Sequence, residues 1–169
     1  MRLTKNWKHE IKELFNIDYV ENYKSILGSG VIFATRCSKT KGSGNDCKIP
    51  KEFYLSSLNL RFYDYCENNG ITYGIISDLY GIHFQDEIIN SYDSHPKSLT
   101  IENKKELGNI IATKCRERKY TTIIFFSQGP DMNRPYFEML SYSGLKVYYV
   151  TKLIKGIKYK KSIPICINL

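Results

Sequence analysis

The sequence predicts an α/β protein with a three-layer, mainly parallel open sheet of the Rossmann-like kind, an extra N-terminal helix and C-terminal edge strands. Three observations predict it. Short apolar runs alternate with amphipathic stretches of helical period from one end of the chain to the other. The runs beginning at Ile71 and Thr121 are apolar or β-prone at nearly every position, as in strands covered on both faces. The first three runs end in turns of small and polar residues, the pattern of strands that open onto one shared edge. At 169 residues the chain is long enough for one domain with a full core and short for two. We divide it into an N-terminal helical extension over residues 1–28, a core over 31–153 and edge strands over 154–169.

Residues 4–16 read as a helix, with Trp7, Ile11, Leu14 and Phe15 on one face and Thr4 as its cap. Residues 19–27 form a second short segment leading into Gly28. The first strand starts at Val31 and runs abruptly into a basic, thiol-bearing turn from Arg36 to Lys41. Gly42-Ser-Gly44 follows, a piece whose backbone can approach a ligand closely. Pro50 precedes a helix over residues 51–68, striped with Leu55, Leu58, Phe62, Tyr65 and Cys66. Asn69-Gly70 ends that helix, Gly70 suiting the left-handed cap position. Residues 71–77 are the second strand.

Residues 78–96 read as a long irregular loop containing Tyr80, Gly81, His83, Asp86, Glu87, Tyr92, Asp93 and His95. Such a loop in a small domain is more often functional than idle. A surface loop with a short helix over residues 86–91 is the other reading. Residues 101–119 are the next helix, with Leu107, Ile110, Ile111 and Cys115 facing inward. Lys114, Arg116, Arg118 and Lys119 crowd its C-terminal end, where they complement the helix dipole. Residues 121–127 are the third strand, ending in Ser127-Gln-Gly-Pro130. Asp131 or Asn133 then caps a helix with Pro135 in its first turn and Tyr136, Met139 and Leu140 inward. Gly144 stops it, residues 145–153 form a fourth strand, and one or two edge strands follow a turn near Gly156.

Composition bounds the chemistry. With 25 Lys and Arg against 17 Asp and Glu, the net charge of +8 favours an anionic partner such as nucleic acid, a nucleotide or phosphate. The lysines from Lys146 to Lys161 stand with no acidic residue between them, as a phosphate-tracking surface or as solvated edge-strand charges. The five cysteines are odd in number and lack C-x-x-C spacing, so neither a disulfide framework nor a metal knuckle is expected. Neither a spanning hydrophobic run nor a signal sequence is legible, so a cytoplasmic protein without a membrane partner is expected. There is no G-x-G-x-x-G and no P-loop, and no cofactor is expected.

One order of motifs carries a resemblance. A strand ends in Cys37-Ser-Lys-Thr-Lys41, Tyr54-Leu-Ser-Ser57 lies on the next helix, and a second strand ends in Ile76-Ser-Asp-Leu-Tyr-Gly-Ile82. The acidic pair Asp86-Glu87, Tyr92-Asp93 and a helix opening with Arg134-Pro-Tyr136 follow. This resembles a superfamily that pairs a strand-end Cys-Ser-x-x-Lys with a later Leu-Ser-x-x-Tyr-Gly-Leu segment. Its relatives include YaaA-type proteins and the core domain of archaeosine synthase. Thr35-Arg36 and Gly42-Ser43 stand here where archaeosine synthase has proline-containing flanks. The resemblance covers residues 31–140 and implies a pocket for a nucleobase or nucleotide, tied to tRNA or DNA base modification.

The candidate residues follow from the strand ends. Cys37 is a nucleophile candidate whose thiol Arg36, Lys39 and Lys41 are expected to acidify, or else a strand-end core cysteine. Lys41 is a phosphate or carboxylate ligand, and Asp86 a general acid or base alongside Asp78. Ser38, Ser77, Ser127, Gln128, Gly81 and Gly129 supply hydrogen bonds or close backbone approach, and Tyr80 and Tyr136 stack on a planar base. Cys37, Ser77 and Ser127 are expected to converge, with Lys41 and Asp86 reaching in. The expected function is a nucleobase- or nucleotide-acting enzyme, of transferase or N-glycosidase kind. The alternative is a non-catalytic nucleic-acid-binding module or an accessory subunit of a modification complex. A homo-oligomer or a modification-enzyme partner completes the expectation.

Overall fold

The computed structural model describes residues 2–39, 41–42, 47–90 and 98–156. Helices are α1 (Trp7–Phe15), α2 (Pro50–Phe53), α3 (Ser57–Asn68), α4 (Ile101–Glu117) and α5 (Arg134–Tyr142). Strands are β1 (Asp18–Tyr19), β2 (Val31–Arg36), β3 (Tyr73–Ser77), β4 (Gly81–Phe84), β5 (Thr122–Phe126) and β6 (Lys146–Val150). They form one six-stranded sheet in the order β1-β6-β5-β2-β3-β4. All neighbours are parallel except β4, which returns antiparallel along β3. The segments starting at Val31, Ile71, Thr121 and Leu145 therefore share one parallel sheet, as the alternation of runs predicts.

The centre of the sheet is buried on both faces, and β5 displays how. Phe126 lies parallel to Phe62 of α3, with centroids 6.0 Å apart and planes at 3°. Its neighbour Phe125 packs edge-on against Phe137 of α5 at 6.0 Å. Successive strand residues point to opposite faces, so each face of β5 meets a different helix. On the α3 face, Phe33 of β2 joins Phe62 and Tyr23. On the other face, Tyr149 of β6 packs on Phe125 and Phe137 and meets Trp7 of α1. Continuous apolar runs are what such strands require.

Several expectations are corrected. The N-terminal extension over 1–28 is helical only in part: after α1, Asp18 and Tyr19 pair with Tyr148 and Tyr149 as an edge strand. Of the edge strands expected over 154–169, residues 154–156 carry no strand and 157–169 lie outside the described residues. Thr4 does not cap α1; its hydroxyl accepts the Asn6 N–H at 3.1 Å and donates to Glu10. Leu14 is exposed, because α1 buries only the narrower stripe of Ile11 and Phe15. The helix expected over 51–68 breaks at Tyr54, which turns extended so that Ser56 can cap α3 by accepting the Asn59 N–H at 3.2 Å. Neither Asp131 nor Asn133 caps α5 by its side chain: Asp131 accepts the Leu3 N–H at 2.7 Å, and Asn133 turns inward.

The largest correction concerns residues 78–96. After the three residues that follow Ser77 the chain reverses at Gly81, whose φ of 77° favours glycine, and β4 pairs back along β3. The Ser77 hydroxyl accepts the N–H groups of Leu79 and Tyr80 at 3.2 and 3.1 Å, which stabilises the reversal. Gly81-Ile-His-Phe84 is too short, and too close to polar neighbours, to stand out as a strand in sequence. Tyr92, Asp93 and His95 lie outside the described residues.

α4 and α5 pack side by side, and Gly108 permits their approach. A Cβ there would stand 2.6 Å from the Tyr142 Cβ and 2.8 Å from the Met139 carbonyl oxygen. Gly108→Ala is therefore expected to destabilise the protein by about 1–3 kcal/mol, outweighing the gain of about 1 kcal/mol in helix propensity. Urea unfolding of the variant checks it; an unchanged or raised midpoint contradicts the close packing.

Candidate functional site at the carboxyl edge of the sheet

From β2 the chain moves to β3 on one side, and β5 later arrives on the other side of β2. The winding reverses between β2 and β5, and in open α/β sheets ligands bind outside the strand carboxyl ends at such a reversal. Cys37, Ser77 and Ser127 follow β2, β3 and β5 and so lie at this one edge. The Cys37 N–H continues the ladder to the Ile76 carbonyl at 2.9 Å.

A cleft of about 220 Å³ opens there between the end of β2 and the start of α3. Arg36, Cys37, Ser38 and Lys39 form one wall, and Ser56, Leu58 and Asn59 the other. Asn59 joins the walls by donating to the Arg36 carbonyl at 2.9 Å. The first turn of α3 carries no acidic residue, so its partial positive charge is not offset there, although Ser56 already accepts the Asn59 N–H. Two basic residues, Arg36 and Lys39, and the start of α3 thus border one small opening, Arg36 with its carbonyl bonded by Asn59 and its Nε on Ser127.

The buried groups behind the cleft bond to one another. The Cys37 sulfur meets the Tyr136 hydroxyl at 3.3 Å. Burial, then the Asp78 carboxylate, push the Cys37 thiol up to about 11, while Tyr136, the Asp78 backbone amide and Lys41 offset only part of this. The expected acidification by neighbouring cations is overturned, because desolvation of a thiolate outweighs them. Tyr136 is itself buried, its hydroxyl pushed far above the usual tyrosine range by desolvation and by Cys37, so its ring offers no open face for a base. Ser127 donates to Asn133 Oδ1 at 2.9 Å, while the exposed Gln128 and Gly129 accept from Asn133 Nδ2 at 3.1 and 2.8 Å.

Other expected residues lie elsewhere or serve the fold. Asp86 pairs with Arg118 at 2.6 Å, beside the start of β3, where the Gln85 N–H reaches the Tyr73 carbonyl at 3.1 Å. It stands at the opposite edge of the sheet from Cys37, because the antiparallel β4 carries the chain back across. Tyr80 lies against the His83 ring at 4.7 Å. Gly81 presses on α4, where a Cβ would meet the Leu107 carbonyl at 3.2 Å. Lys41 is half-buried and forms an antiparallel bridge with Tyr54. Asp78 is buried near Cys37. Of the expected set, Cys37 and Ser38 line the cleft.

Sequence reading placed Ser56 in the Tyr54–Ser57 motif and Asn133 as a possible helix cap, but gave neither of them, nor Asn59, a part in a site. Ser56 and Asn59 carried a signal: Ser56-x-x-Asn59 has the spacing of a helix cap with a reciprocal third residue. Among the described residues, no three His, Cys, Asp or Glu side chains gather in reach of one metal ion, and no helix is long and apolar enough to cross a membrane. No family model, curated protein or solved structure matches the chain.

Two expected outcomes follow from burial. Cys47 is exposed, whereas Cys37, Cys66 and Cys115 are buried. Native alkylation at pH 8 should label Cys47 well before these three, as peptide mass spectrometry reports; rapid labelling of Cys37 contradicts the buried thiol. His83 is buried with Nδ1 at 2.9 Å from the Tyr54 hydroxyl, and desolvation followed by the Lys114 charge lowers it from 6.5 to about 3. The unfolded chain then binds a proton that the folded one refuses, so this contribution is whole above 6.5 and is lost as pH falls toward 3. The slope is at most about 1.4 kcal/mol per pH unit. Unfolding free energies of wild type and His83→Gln should draw together on acidification, and parallel curves reject the buried neutral imidazole.

Proposed function

We propose that this chain binds a nucleotide through its phosphate, free or within tRNA or DNA, in the cleft between the end of β2 and the start of α3. One observation carries the reading: Arg36, Lys39 and the acid-free N-terminal turn of α3 share an opening of about 220 Å³ at the reversal of the sheet. Backbone N–H groups at a helix N-terminus and nearby cations are the usual partners of a phosphate. The volume suits a sugar phosphate rather than a whole dinucleotide. The resemblance carried by the motif order around Cys37 and Ile76–Ile82 is the reason for naming a base and modification chemistry, and the net charge of +8 suits approach to a polyanion.

Binding is favoured over catalysis through Cys37, whose thiol is buried and pushed up to about 11. A nucleophilic cysteine needs an accessible thiolate near neutral pH. The chain therefore acts first as a nucleotide-binding domain, and any reaction it supports draws its reactive group from elsewhere.

Calorimetric titration with nucleoside monophosphates, the matching nucleosides and inorganic phosphate tests this. Monophosphates are expected to bind, nucleosides to bind far more weakly, and added salt to weaken the phosphate-dependent part. Arg36→Ala with Lys39→Ala should remove that part while leaving the melting temperature close to wild type. Equal affinity for a nucleoside and its monophosphate, or no binding at millimolar concentration, rejects the proposal.

A further inference from the structure

A chain of buried hydrogen bonds runs from the start of α5 to the wall of the cleft, and its direction can be read bond by bond. Asn133 is completely buried. One end of its amide meets two carbonyl oxygens, Gln128 at 3.1 Å and Gly129 at 2.8 Å. Only the NH₂ group can serve two acceptors, so Oδ1 must occupy the other end. That end meets the Ser127 hydroxyl at 2.9 Å, so Ser127 must donate its single proton there. The Gln128 carbonyl, 3.5 Å from the same hydroxyl, competes weakly. The lone pairs of Ser127 Oγ are left to accept, and Arg36 Nε lies 3.2 Å away.

Arg36 is thereby held by one N–H. Among the described residues its guanidinium makes no other hydrogen bond and no ion pair, so both terminal nitrogens keep their donors for something else. A guanidinium anchored through Nε presents its two terminal nitrogens as a planar fork, which matches two oxygens of one oxyanion. Ser127 and Asn133 do not line the cleft; they hold the Arg36 side chain by its Nε.

We propose that Asn133 and Ser127 are positioning residues that set Arg36 to grip a phosphate monoester through two oxygens at once. The inference rests on the reading of the cleft as a phosphate site and names the group that makes it selective. Phosphate and phosphate monoesters should be preferred over acetate, because the surrounding Lys39 and α3 N-terminus can serve the oxygens that Arg36 leaves. Lys in place of Arg36 keeps the charge but can neither anchor on Ser127 through a second nitrogen nor offer a fork.

The test uses the full chain labelled with ¹⁵N. Solvent exchange of the arginine Nε–H signals is followed by NMR without ligand, with Arg36→Lys identifying the Arg36 signal. The Arg36 Nε–H is expected to be protected, while those of the exposed Arg61 and Arg116 exchange freely. Ser127→Ala and Asn133→Ala should each bring Arg36 to the exposed rate and weaken binding of inorganic phosphate and AMP by about tenfold. Ser127→Thr, which keeps the hydroxyl, should restore both. Should Asn133→Ala fail to fold, Ser127→Ala decides alone. An Arg36 Nε–H that exchanges as fast as Arg61 in the wild type overturns the positioning role, whatever the ligand result. Protection without any binding of phosphate or AMP overturns the phosphate site itself and the role with it. Protection with affinity unchanged in folded Ser127→Ala overturns the role and leaves the site standing.

Discussion

The two-sided burial of β5 is the constraint on which the rest depends. Phe126 needs α3 on one face and Phe125 needs α5 on the other. A sheet covered in this way has no face left for water, so backbone polarity is confined to its ladders and polar chemistry to its ends. The connections that bring α3 and α5 to opposite faces also make the strand order reverse between β2 and β5. The cleft is thus a consequence of covering the sheet, and its residues are whatever the chain places at the end of β2 and the start of α3.

The edge is then held by bonds that leave few polar groups idle. Thr35 donates to the Phe126 carbonyl at 2.7 Å and Tyr149 to the Ser127 carbonyl at 2.9 Å, tying the ends of β2, β5 and β6 together. Cys37 meets Tyr136, Ser77 stabilises its own turn, and Asn133 gathers the chain after β5. A buried donor or acceptor left unmade costs about 1–3 kcal/mol, so such groups pair wherever geometry allows. For this reason strand-end hydroxyls and thiols that look like ligand groups in sequence are consumed by the fold. What remains for a ligand is longer and more exposed: Arg36, Lys39 and the N-terminal turn of α3.

The hairpin of β3 and β4 accounts for the most consequential difference between expected and observed sites. Read as a loop, residues 78–96 carry Asp86 over the carboxyl edge. Folded as a strand, Gly81–Phe84 returns the chain to the amino edge, where Asp86 pairs with Arg118 and Glu87 with Lys114 at 2.6 Å. Those two pairs use the basic end of α4 to secure the hairpin. The same basic residues, legible in sequence as complements to the helix dipole, therefore have a second structural use that only the antiparallel return reveals.

The sequence by itself determined the class of this protein, the positions of the four parallel core strands and the buried faces of α4 and α5, because these rest on periodicities of two and 3.6 residues that local composition displays. It also determined that Cys37, Ser77 and Ser127 lie at one edge, since parallel strands leave no other arrangement. Tertiary structure decided the rest. Whether Tyr54 continues a helix, whether Asp18 and Tyr19 pair with β6, and whether Gly81–Phe84 turns back along β3 depend on packing and pairing in space, which periodicity alone does not record. Whether a polar side chain faces a ligand or its own fold likewise depends on burial. The thiol of Cys37 has cations beside it in sequence, yet desolvation and Asp78 govern it in space.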